Sequence, residues 1–152
     1  MQIDRIDRHL LRLLQEDAAR PVSVLAEAAG ISVSACRRRI DRLEAGGVIA
    51  ARRVALDLRA LGFEVQVFLR VTLDKTEPRA FDAFIAEARR IANVQSIETL
   101  LGRVDIRMDV VARDLGHYQQ IYQERILALP HIADIEALML VSELKNSEAL
   151  AI

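Results

Sequence analysis

One cysteine, Cys36, in 152 residues excludes a scaffold stapled by disulfides. With no secretory leader at the start, the single thiol points to a reducing compartment, and a cytoplasmic protein is expected. Long apolar runs are also missing. Stretches such as Leu138 to Val141 fall far short of the roughly 20 residues that span a bilayer. Charge of one sign is not in excess either: 21 Lys+Arg stand against 22 Asp+Glu, a net −1. A balance so close to zero normally argues against a nucleic-acid partner. Constellations for chemistry are lacking as well. His117 and His131 are isolated, and His9, beside Leu10, reads as a partly exposed surface residue. No His, Cys or carboxylate pair has ligand spacing on one element, and no nucleophile-plus-base motif or glycine-rich phosphate loop is present. The expectation is no enzyme, no catalytic residue, no metal and no cofactor. What remains is 52% hydrophobic and 28% charged, a foldable chain of one ordinary domain or two small ones.

The net charge hides an asymmetry. Residues 1–59 sum to +3 and residues 60–152 to −4. Between Ser32 and Arg53, six arginines face only Asp41 and Glu44. Positive charge gathered so tightly is how a phosphate-binding surface looks in sequence, although a solvated helix face looks the same.

Asp4 to Gln15 reads as a helix, with Ile6, Leu10, Leu13 and Leu14 in one apolar stripe. Asp4 and Asp7 fall in its first turn, where the helix dipole favours carboxylates. Arg20-Pro21 breaks the pattern, and Pro21 suits the start of a short helix from Val22 to Ala29 packed through Leu25. Gly30 ends that helix, since glycine takes the left-handed conformation a sharp turn needs. Ile31 anchors the turn, and Ser32 is a good N-cap for a third helix over Val33 to Ala45.

On that third helix Cys36, Ile40 and Leu43 share one face. Ser34, Arg38, Asp41 and Arg42 lie near the opposite face, with Arg37 and Arg39 on the flanks. An apolar seam inside and arginines and serines outside suit a helix lying in a major groove, where guanidinium forks reach guanine edges or phosphates. Cys36 on the seam reads as a core thiol rather than a redox sensor. Gly46-Gly47 stops the helix, and Val48-Ile49 begins an extended segment ending in Arg52-Arg53. That segment looks like the wing of a winged helix whose basic tip touches phosphates. The expected reader is therefore a winged helix-turn-helix over residues 1–56, touching double-stranded DNA through Ser32, Ser34, Arg37, Arg38, Arg39, Arg42, Arg52 and Arg53.

After a link over 57–62, residues 63–152 read as a second domain. Val65, Val67, Leu69, Val71 and Leu73 alternate with Gln66, Phe68, Arg70 and Thr72, which makes a half-buried strand. A helix is expected over Thr76 to Ile91, with Pro78 in its first turn and Phe81, Phe84, Ile85 and Ala88 buried. Strands over Val94 to Leu101 and Asp105 to Ala112 flank the turn Gly102-Arg103-Val104. Asp114 caps a helix carrying Tyr118, Tyr122 and Ile126, Pro130 marks its end, and Ile132 to Leu144 supplies the last strand. Strand–helix–strand–strand–helix–strand is the ferredoxin-like order, so the fold class is α+β. Both helices cover one face of the sheet. Phe68, Leu100 and Val111 are expected on the other, mixed with Arg70, Glu98, Arg107 and Asp109. That mixture fits a sheet-on-sheet dimer as well as a solvated surface. A homodimer is expected, because two recognition helices one DNA turn apart read a palindromic site.

Taken together, these segments resemble the leucine-responsive regulator/AsnC (Lrp/AsnC) family of transcription regulators. The resemblance rests on Arg5-Ile6-Asp7, Gly30-Ile31-Ser32, Arg39-Ile40 with Leu43-Glu44, and Gly47-Val48-Ile49. It continues with Gly102 and Asp105 and with Val141-Ser142-Glu143-Leu144-Lys145, and covers nearly the whole chain. It implies a winged helix-turn-helix joined to a ferredoxin-like effector domain, dimers assembling into octamers, and often an amino-acid effector bound between dimers. Carried over, the effector region is Leu100, Leu101, Gly102, Arg103, Val104 and Asp105. Glycine lets a small ligand approach backbone amides and aspartate can pair with an ammonium group; a plain tight hairpin is the competing reading. Family members commonly place a polar or acidic residue and then an aromatic between the glycine and the aspartate, where this chain has Arg103 and Val104. The nearest rival function is an architectural protein that compacts DNA without effector control.

Overall fold

The computed structural model describes residues 2–144 and 150–152. Two compact units emerge: residues up to Ala55 with the described residues of Leu144–Ile152, and Leu56–Glu143. Among the described residues no helix is long and apolar enough to cross a membrane.

The first unit is built on three helices, α1 (Arg5–Glu16), α2 (Val22–Ala29) and α3 (Val33–Ala45). Asp4 caps α1 in a reciprocal box: its carboxylate accepts the Asp7 N–H at 2.8 Å while the Asp7 carboxylate accepts the Asp4 N–H at 3.1 Å. Gly30 closes α2 at φ 66°, and the Ile31 N–H returns to the Ala26 carbonyl at 3.0 Å. That turn delivers Ser32, whose Oγ accepts the Ala35 N–H at 3.2 Å and starts α3. The three helices bury Leu10, Leu25, Ala26, Cys36 and Ile40 together, with Ile6, Leu13 and Leu14 packed around them. Elsewhere in the unit, Leu150 and Gln15 exchange hydrogen bonds at 2.6 and 3.3 Å, and Arg12 donates to the Ile152 carbonyl.

The chain after α3 departs from expectation. Gly47 takes φ 71° and the Val48 and Ile49 N–H groups fold back on the Leu43 carbonyl. The segment beyond, Ala50 to Leu56, lies in no strand. The helix-turn-helix is there, but among the described residues the hairpin of a wing is not: the extended segment has no partner strand there to give it a ladder. Instead Arg52 turns back, donating to Glu44 at 2.9 Å and to the Ala18 carbonyl at 3.2 Å.

The second unit holds β1 (Val65–Leu73), α4 (Ala80–Ala88), β2 (Val94–Thr99), β3 (Ile106–Ala112), α5 (Leu115–Ile121) and β4 (Ile132–Met139). The sheet is antiparallel in the order β2-β3-β1-β4, the ferredoxin-like arrangement. Alternation along β1 sends Val67, Leu69, Val71 and Leu73 into a core with Phe84 and Ala88 of α4 and Tyr118 and Ile121 of α5. Several ends differ from the sequence reading. Asp74 captures Thr76 through its N–H and hydroxyl, so the chain turns there and α4 starts only at Ala80, which leaves Pro78 outside it. Phe81, on the solvent side of α4, is 42% exposed rather than buried. Asp114 caps α5 as expected, but Tyr122–Ile126 continues as a π-helical turn. β4 ends at Met139 with a last bond from the Leu140 N–H to the Gln66 carbonyl; Ser142 and Glu143 lie beyond it, and Lys145 lies outside the described residues.

The open face of the sheet carries Gln66, Phe68 and Arg70 from β1, opposite Val111, Asp109 and Arg107 of β3. Its polar groups are largely paired. Arg70 meets Glu136 at 3.2 Å, Arg107 meets Glu98 at 3.1 Å and lies 4.7 Å over the Phe68 ring, and Gln66 donates to Asp109 at 2.7 Å. Val111 is buried here, while Leu100, 45% exposed, follows the end of β2.

Candidate nucleic-acid interface and effector hairpin

The seam of α3 is apolar, as its spacing predicts: Cys36, Ile40 and Leu43 are buried. Burial pushes the Cys36 thiol pKa up, which disfavours the reactive thiolate. Ser32, Ser34, Arg37 and Arg38 are exposed along the opposite side, and among the described residues neither Arg37 nor Arg38 has an ion-pair partner. Two adjacent serine hydroxyls, 3.2 Å apart, sit at the N-terminus of the helix. Donors and guanidinium forks on one exposed face, with the helix held from behind by its seam, are what major-groove reading needs.

Arg39, Arg42 and Arg52 are occupied. Arg39 donates to Asp4 at 2.7 Å and to Asp7 at 2.8 Å, and Arg42 donates to the other Asp7 oxygen. Asp7 is fully buried. The Asp7 N–H and the Arg39 guanidinium hold the Asp4 carboxyl below its usual range, and the two carboxylates raise Arg39 in turn. Arg52 is paired with Glu44, and Arg53 is exposed without an ion pair among the described residues. Asp7, expected from its place in the first turn to serve the helix dipole, is instead the hub of two guanidiniums. A signal was present: residues three apart on a helix lie one above the other, so Arg39 and Arg42 form a fork, but which acid meets it is a tertiary fact.

The hairpin from Leu100 to Asp105 joins β2 to β3, closed by the Leu100 N–H on the Asp105 carbonyl at 2.8 Å. The Asp105 carboxylate accepts the Leu73 N–H at 2.9 Å and lies 3.6 Å from the Lys75 ammonium, so part of its capacity shapes the turn. The Thr72 hydroxyl donates to the Arg103 carbonyl at 3.2 Å. Gly102 has an ordinary negative-side backbone, and a Cβ added there would meet nothing within 4 Å. Nothing inside the unit requires glycine at this position. Leu101 is fully exposed and Arg103 is exposed beside it. Among the described residues no group of three His, Cys, Asp or Glu converges as a metal site.

Comparisons with known proteins agree with this geometry. Residues 3–44 match the AsnC-type helix-turn-helix domain, and residues 66–150 match the Lrp/AsnC ligand binding domain. The chain is 29% identical over 150 residues to the leucine-responsive regulatory protein of Salmonella typhimurium, covering 99% of this chain and 92% of that protein. Among solved structures it resembles a transcriptional regulator from Neisseria meningitidis in complex with L-methionine, with TM-score 0.92, 25% identity and coverage of 98% and 96%. It also resembles an AsnC family regulator from Agrobacterium tumefaciens, with TM-score 0.87, 30% identity and coverage of 97% and 95%. The chain belongs to the Lrp/AsnC family of transcription regulators, with α2 and α3 forming its DNA-binding helix-turn-helix.

Proposed function

We propose that this regulator reads DNA sequence through the outer face of α3 and is modulated by a small amino acid held at the Leu100–Asp105 hairpin, between copies of the chain. The observation that carries the reading half is that Arg37 and Arg38, beside Ser32 and Ser34, have no ion-pair partner among the described residues, against the pairing of Arg39, Arg42 and Arg52. Arg37 and Arg38 reach base edges or phosphates, the serines bond phosphates, and Arg53 adds a backbone contact. A reader over residues 1–56 is joined by 57–62 to a sensor that begins at residue 63, and the protein works in the cytoplasm.

Support for the effector half comes from Gly102. A glycine that its own fold does not require, next to a fully exposed Leu101, fits a surface that something else must approach closely. Arg103 suits the carboxylate of an amino acid, and Asp105 suits its ammonium once Lys75, 69% exposed, swings away. The Neisseria relative was solved with L-methionine, which fits the same ligand class. Assembly as a homodimer, and of dimers into an octamer, covers Leu101. The existing bond from the Leu73 N–H to Asp105 favours one other reading, an architectural DNA binder without effector control. Binding to the promoter fragment beside its own gene, measured with and without each common amino acid, separates the two. A change in affinity with one amino acid supports the effector reading, and identical isotherms with all of them overturn it.

A further inference from the structure

We infer that Asp7 is a positioning residue for DNA recognition: it sets the rotation of α3 and withholds Arg39 and Arg42 from the phosphates. The inference rests on α3 being the DNA-reading helix. Its starting point is the chemistry of the α1–α3 contact. The seam of Cys36 and Ile40 against Leu10 is apolar, and apolar contact is non-directional. By itself it tolerates rotation of α3 about its axis. The charged contact does not. Asp7, fully buried, receives Arg39 on one oxygen at 2.8 Å, and Arg42 and the Asp4 N–H on the other. Asp4 takes Arg39 at 2.7 Å. Two carboxylates and two guanidiniums close on each other with no net charge, and guanidinium–carboxylate bonds are directional.

Rotation decides which arginines meet DNA. With Asp7 in place, Arg37 and Arg38 face outward and Arg39 and Arg42 face α1. Without it, Arg42 is released and Arg39 keeps only Asp4, which loosens positive charge on the flank of the reading face, where any phosphate can take it. Affinity for arbitrary sequence then rises while discrimination falls. Asp7 thus acts through the arginines and touches no DNA.

The test uses the full chain and two duplexes, the promoter fragment beside its own gene and a random-sequence duplex, titrated across a salt series. Asp7→Asn should bind the random duplex several-fold more tightly and lower the promoter-to-random ratio at least about ten-fold. The slope of log affinity against log salt should steepen by roughly one to two, since each phosphate contact contributes about 0.9. A folded Asp7→Asn protein with unchanged slope and ratio overturns the positioning role, because loss of stability alone moves neither. Arg42→Gln supplies a reading that does not need Asp7→Asn to fold. It should leave the slope on random duplex unchanged, and a fall of about one overturns the claim that Arg42 is withheld. Arg38→Gln should lower the slope or the promoter preference. If it changes neither, the placement of α3 on DNA fails and the role of Asp7 falls with it; if it does and only Arg42→Gln disagrees, the reading helix stands and the Asp7 inference alone is lost.

Discussion

Each unit of this protein takes an aspartate out of water, and they treat it in opposite ways. In the helical unit the fully buried Asp7 has both oxygens met by guanidinium donors from α3 and one also by a backbone N–H. In the sheet unit Asp109 stands half-buried on the open face, with one oxygen bonded to Gln66 and the other, Oδ1, buried without a partner among the described residues. The helical unit completes its polar accounting from its own chain. The sheet unit leaves an acceptor for which the described residues supply no donor, on the face that Arg70, Glu136, Glu98 and Arg107 otherwise pair off. The contrast fits the proposed division of labour: a reader has to be rigid before it meets DNA, whereas a sensor proposed to assemble gains from an acceptor left for a second copy.

The largest effect expected from breaking this contrast is at Asp7. Replacing it by leucine leaves Arg39, 25% exposed in its side chain, with only Asp4 beside it. Breaking a buried ion pair from one side costs about 3–5 kcal/mol, and urea unfolding should show a loss of that size. A loss under about 1 kcal/mol would place this cluster with ordinary surface pairs. Next comes Arg38→Ala, which should reduce promoter binding by about 1–3 kcal/mol if the guanidinium reaches a base edge. Unchanged affinity in a gel-shift or anisotropy titration would mean that the exposed face of α3 does not read bases.

Arg52→Ala carries a smaller effect. Arg52 is expected at a basic wing tip from its place after Val48-Ile49, but its guanidinium is spent on Glu44 and the Ala18 carbonyl. Its removal should cost about 0.2–1 kcal/mol of stability, the usual worth of a half-exposed pair, and leave the salt slope of binding as it was. A slope shallower by about one would return Arg52 to the phosphate contacts.

These cases show where the sequence was readable. Local signals carried the elements: Gly30 in the left-handed conformation, Ser32 as a cap, the strict alternation of β1, and the order that makes the sheet ferredoxin-like. Cys36 on the apolar seam was legible for the same reason. Boundaries failed where a side chain competed with the helix, as Asp74 does for Thr76 ahead of α4. The wing failed because an extended, glycine-led segment is shaped by a partner strand, and among the described residues none pairs with it. At the site, the sign of the α3 arginines was legible and their employment was not. Charge and helical phase belong to the sequence, but the acid that claims Arg39 or Arg42 lies about thirty residues away and is brought there only by folding.

The smallest expected effect is the other arm of the contrast, and its sign is reversed. Burial raises the Asp109 carboxyl above its ordinary value, with the Gln66 amide and Arg107 pulling it down and Glu98 adding to the rise. An acid whose folded-state pKa is raised holds its proton more tightly in the folded chain. Its contribution to stability is therefore intact below the unfolded value, about 3.9, and is lost as pH rises through the higher folded value. Asp109→Asn keeps an acceptor for Gln66 and cannot ionise. Its stability should stay flatter than wild type as pH climbs above about 4, and its Tm at pH 7 should be equal or slightly higher, the reverse of Asp7→Leu. Thermal melts across a pH series on dilute protein check this. The same melts at high protein concentration sharpen it: if a second copy donates to Oδ1, assembly removes the penalty and the advantage of the asparagine shrinks. A Tm at pH 7 well below wild type at every concentration would mean that the Asp109 charge is already satisfied, and that both units close their polar accounts alone.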